Sequence, residues 1–221
     1  MNLLLASFVL CLLILIMLIF KEAANGWRRP YARRVVSQVC LVIVLFELIV
    51  LYPLVDDETY VGRTRVFGGN MATTQAFSIV HPAETEGIRS VRSGNHLMFF
   101  LTDASGAYYL RTRTIVISDD PDDSFGFSSD LFVNFHEIGH HVWHNLLTDE
   151  ERKNYTQHYN DTQWRPSSYA RTSVFEDFAD SYAIFTAKAP YLDDFRTEIL
   201  NESLSRIRAE YEMEMKAVVL S

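Results

Sequence analysis

His136-Glu137-Ile138-Gly139-His140 is an H-E-x-x-H pattern set in an apolar run from Leu131 to Leu147. That run predicts a helix. Residues advance about 100° each around a helix axis, so side chains four apart share a face and two imidazoles can converge on one zinc ion. Glu137 lies one step round, beside such an ion rather than on it. A carboxylate there suits a general base acting on a water whose pKa zinc lowers to about 7. The pattern is short enough to arise by chance, so its meaning depends on what else the chain brings to it.

Zinc needs at least a third protein ligand. His144 is eight residues beyond His136, about 12 Å along the axis at 1.5 Å per residue, and cannot reach the same ion. His141 points off that face, which predicts a packing or surface role for both. The longer H-E-x-x-H-x-x-G-x-x-H pattern is absent, because Trp143 and Leu146 occupy its glycine and third histidine positions. A carboxylate from a second helix fits better. The stretch from Ser173 to Asp180 reads Ser-Val-Phe-Glu-Asp-Phe-Ala-Asp, with Glu176 and Asp180 one turn apart on one face. Glu176 is then the candidate third ligand, and Asp180 the acceptor for the free ring N–H of a ligand histidine. Ser173 and Glu176 also have the spacing of a helix capping box, which explains neither Asp180 nor the histidines.

These residues together resemble the gluzincin metallopeptidases, in particular those of the anthrax lethal factor type. The resemblance rests on H-E-x-G-H, on Tyr169-Ala170-x-Thr172, and on Glu176-Asp177-Phe178-Ala179-Asp180, and it spans roughly 132–185. It implies a zincin-like α+β domain with one Zn2+ per chain, held by His136, His140 and Glu176. It further implies Glu137 as catalytic base and Tyr169 as the donor that stabilises the oxyanion. Asp180 stands where that type tends to have Glu, so the second-shell reach is shorter. Nothing resembles the receptor-binding or delivery parts of such a toxin.

Elements elsewhere must position this constellation. Gln75–Val80, His96–Leu101 and Tyr108–Ser118 are rich in Phe, Tyr, Ile and Val between turn residues, and they predict strands of a small sheet. The last could pair with an extended peptide substrate along its edge. Gly68-Gly69 reads as a turn, and Asp119 to Asp123 as a solvated acidic loop. Ser128 or Ser129 would cap the H-E-x-x-H helix. Thr148 with Glu151 forms a capping box for the next one. Asn160–Arg171 reads as a loop, Ser173–Ala187 as a helix, and Pro190 as the opening of a last helix over about 191–218.

Ahead of this domain the chain is apolar. Asn2–Phe20 is 19 residues without a charge, and Val35–Val55 is 21 residues with only Glu47 charged. About 20 apolar residues cross the hydrocarbon core, so both predict transmembrane helices, paired as a hairpin. The loop 21–34 carries Lys21, Arg28, Arg29, Arg33 and Arg34 against Glu22. A basic short loop favours the cytoplasm, which places residues 56–221 outside it as an extracytoplasmic domain on an integral two-span anchor. Glu47 reads as a helix-pairing contact.

Charge and cysteine count narrow the rest. Residues 1–55 hold five basic and two acidic side chains, leaving 15 basic against 26 acidic and a net charge of −11 in 56–221. Such a balance argues against a nucleic-acid partner. Cys11 and Cys40 both lie in the apolar runs, so a metal in the outer domain must use His and carboxylate. The expected activity is zinc-dependent hydrolysis of a peptide or protein. The alternative is an anchored zinc-binding or interaction module without effective hydrolysis.

Overall fold

The computed structural model describes residues 58–68, 71–94, 105–118 and 129–219, all within one compact unit, Asp57–Ser221. Both predicted spans, the basic loop between them, the strand 96–101 and the acidic loop 119–123 lie outside the described residues. Among the described residues no helix is long and apolar enough to cross a membrane.

The fold is α+β. Strands β1 (Glu58–Val61), β2 (Thr64–Phe67), β3 (Ser90–Ser93), β4 (Gly106–Tyr109) and β5 (Thr114–Ile117) form a mixed sheet in the order β1-β2-β3-β5-β4. The β2–β3 and β3–β5 pairs are parallel, and the two outer pairs are antiparallel. Tyr108–Ser118 is therefore a hairpin and not the single strand expected. Its turn has no glycine, and Arg113 supplies the left-handed residue at φ 51°. Interior strand β5 buries Ile115, Val116 and Ile117 in succession, as a strand covered on both faces does.

Helices α1 (Met71–Ile79) and α2 (Pro82–Thr85) lie between β2 and β3. Of the stretch expected as a strand from Gln75 to Val80, all but Val80 belongs to α1. Thr73, Ala76 and Phe77 are its buried positions and Val80 is buried just past its end, a helical spacing that outweighs the β-propensity of Phe, Ile and Val. Helix α2 starts with Pro82 in its first turn and His81 Nδ1 accepting from the Ala83 N–H at 3.2 Å.

The H-E-x-x-H stretch is on α3 (Ser129–His141), which continues into a π-helical turn, Val142–Leu146. Helix α4 (Asp149–Asp161) begins with the expected Thr148–Glu151 capping box. A 3-10 turn, Tyr169–Arg171, leads into α5 (Val174–Thr186), capped by the Ser173 hydroxyl accepting from the Glu176 N–H. The last helix, α6 (Asp194–Val219), starts four residues later than Pro190. Asp193 sets that start by accepting from the Arg196 N–H at 2.8 Å.

Helix α3 is central. Phe132, Phe135, Ile138 and Val142 are buried, and the helix packs on α5, α1, β4 and β5. Its crossing with α5 is close because Gly139 has no side chain: a Cβ there would stand 2.9 Å from Ala179 Cα. From the other side α6 braces α5. Arg196, fully buried, forms two hydrogen bonds to Asp177, and Tyr155 of α4 donates to the same carboxylate at 2.7 Å. A second buried carboxylate, Glu84 of α2, accepts from Tyr182 at 2.6 Å and from Arg208 at 2.7 Å.

Candidate metal centre

The helical period delivers His136 and His140 to the side of α3 that faces α5, with ring centroids 4.7 Å apart. Their Nε2 atoms are 3.1 Å apart, and Glu176 Oε2 lies 3.0 Å from one and 3.1 Å from the other. Among the described residues this is the group of three that could hold a metal ion. Ligands about 2.0–2.1 Å from a tetrahedral centre lie about 3.3 Å from one another. The triangle is within a few tenths of an ångström of that, and two imidazoles with one carboxylate suit zinc in type. The donor set therefore fits a zinc ion.

Asp180, one turn on from Glu176, has Oδ1 2.8 Å from His136 Nδ1. The carboxylate can only accept, so Nδ1 carries a hydrogen, and in the neutral ring it is Nε2 that has its lone pair toward the triangle. Ser167 donates to the other oxygen of Asp180 and accepts from the Ala170 N–H at 2.9 Å. One hydroxyl thus ties the turn bearing Tyr169 to the support of His136. Neither the loop composition of 160–171 nor the spacing of Ser167 announces this role.

The electrostatics follow from burial and proximity. Burial opposes a charge on His136, but hydrogen bonds to Asp180 and Glu176 outweigh it and lift the ring to about 10. Burial likewise opposes ionisation of Glu176, yet its hydrogen bonds to the two histidines hold it down to about 2. A cation in the triangle would replace a proton on His136, so its binding releases protons. Glu137 is buried and its carboxyl is raised by that burial, partly offset by the two histidines. Its Oε2 has no hydrogen-bond partner among the described residues. Glu137 thus carries a buried, unpartnered acceptor one residue on from His136 and within electrostatic reach of both histidines and Glu176.

Tyr169 is half-exposed, with its ring centroid 6.0 Å from that of His136, and burial is the main cause that raises its phenol. Asp177 faces away from the triangle and into the buried pair with Arg196. His141 is fully buried: Nδ1 is 3.0 Å from the Tyr108 hydroxyl and Nε2 is 2.9 Å from Glu86 O. Burial pushes it down to about 4, so it is neutral at pH 7. The His144 ring lies 5.4 Å from that of Phe175, tilted by 32°, and is not among the three clustered donors. Both histidines thus have packing or surface roles, as the axial distance of His144 and the angular position of His141 predict.

Comparison with protein-family models, with curated proteins and with solved structures gives no match.

Proposed function

We propose that residues 56–221 are a zincin-like metallopeptidase domain of the gluzincin kind, carried outside the cytoplasm on a two-helix membrane hairpin, 2–20 and 35–55. The observation that carries this reading is the triangle of His136, His140 and Glu176 with the orphaned Glu137 oxygen beside it. A structural zinc site has no use for a buried base next to its ligands.

Zinc held by the triangle would polarise a peptide carbonyl and acidify a bound water. Glu137 Oε2 accepts the proton of the attacking water and passes it to the nitrogen of the leaving amine. The Tyr169 hydroxyl donates to the carbonyl oxygen as negative charge builds there. Asp180 holds the His136 ring by its Nδ1–H and keeps Nε2 aimed. Strand β4, last in the order of the described sheet, is the element beside which an extended peptide would lie.

The test is a peptide library offered to the full chain, purified in detergent, with and without chelator. Cleavage that stops on chelation and returns with zinc is expected. Glu137→Gln should keep one zinc per chain and lose turnover by about 10²- to 10⁴-fold, whereas Glu176→Ala should lose the metal. Tight zinc in Glu176→Ala would remove the third ligand, and full turnover in Glu137→Gln would remove the peptidase reading.

A further inference from the structure

The Glu137 carboxylate is seated against a strand, and the seat is narrow. A Cβ on Gly106 would stand 2.5 Å from Glu137 Oε1 and 2.8 Å from Val133 Cγ1. Only glycine lets the β4 backbone come this close to the side chain of α3. Among the described residues Oε2 has no hydrogen-bond partner, and contact with this strand limits where the carboxylate sits.

The same strand is tied to the same helix two residues further on. Side chains two apart in a strand point to one face, so Gly106 and Tyr108 both address α3. Asn145 Nδ2 donates to the Tyr108 hydroxyl at 2.8 Å and to His141 O at 3.1 Å. With its oxygen accepting from Asn145, the Tyr108 hydroxyl has its own hydrogen to give to His141 Nδ1, 3.0 Å away. His141 Nε2–H then donates to Glu86 O at 2.9 Å, beyond α2. Every donor in this chain has an acceptor, and Asn145 enters it from the π-helical turn that ends α3.

We infer that Tyr108, His141 and Asn145 form a clamp that fixes strand β4 against α3, so that the Gly106 backbone holds the Glu137 carboxylate in its working position. The inference rests on the peptidase reading for its kinetic consequence alone. These three are positioning residues: they act on the base through the strand.

Tyr108→Phe keeps the ring and removes the hydroxyl. In the full, zinc-loaded chain it should leave one zinc per chain, lower kcat about tenfold and change KM by less than about twofold, because a displaced base slows the reaction without loosening the substrate. Amide hydrogens of β4 should exchange about tenfold faster, with those of α5 unchanged. Gly106→Ala, which crowds the seat directly, should give the same split between kcat and KM. Unchanged exchange in β4 overturns the clamp. Faster exchange with an unaltered kcat, or a loss confined to KM, overturns its action on Glu137. A parent chain that hydrolyses no peptide sinks the peptidase reading separately, and β4 exchange still decides the clamp.

Discussion

Asp180 Oδ1 lies 2.8 Å from His136 Nδ1, a contact between residues 44 apart in sequence that joins α5 to α3 at the metal triangle. The carboxylate fixes the ring's tautomer and raises the basicity of the other nitrogen. Asp180→Ala should therefore weaken zinc about 10- to 100-fold in competition with a chelator of known affinity, although no ligand atom is removed. Unchanged zinc affinity would leave Asp180 a packing residue only.

Tyr169→Phe retains the ring beside His136 and deletes the hydroxyl. If that hydroxyl meets the developing oxyanion, kcat should fall by about 10²- to 10³-fold with zinc content and melting temperature unchanged. An enzyme as fast as the parent would leave the ring with a packing role.

Glu151 gives a prediction in acid. Burial opposes its ionisation, but Arg206 and Thr148 hold the carboxyl down to about 2, against 4.5 for the free group. A depressed folded pKa contributes stability that is complete above about 4.5 and lost as the pH falls through about 2. The gap in melting temperature between the parent and Glu151→Gln should accordingly narrow across that window. A constant gap would mean that the carboxylate's charge contributes nothing there.

Topology can be tested directly. Protease added to intact cells or spheroplasts should digest the chain beyond Val55 and spare the basic loop 21–34. Protection of the domain would reverse the orientation.

The ligand face was legible in the sequence because helical periodicity is local: His136, His140, Glu176 and Asp180 need only their own helices to share a face. What brings the two helices together was written more faintly, in Gly139 and Ala179, whose importance lies in the side chains they lack. The errors fell where tertiary packing decides. Gln75 to Val80 has strand-forming residues, but Thr73, Ala76, Phe77 and Val80 bury one helical face. The turn within Tyr108–Ser118 carries no glycine or Asn-Gly signal, so the alternating pattern ran straight through it. Ser167 and Tyr108 gave no warning, since a single hydroxyl acquires its role only from the partner that folding supplies.

The contact of Gly139 with Ala179 also acts as a gauge. The spacing of α3 and α5 sets the gap between two imidazoles and a carboxylate that come from different helices. A methyl at residue 139 would stand 2.9 Å from Ala179 Cα and 3.2 Å from Ala179 O, so the helices would have to part and the gap would widen. The span between the two histidines and the carboxylate thus depends on a residue that is none of the three.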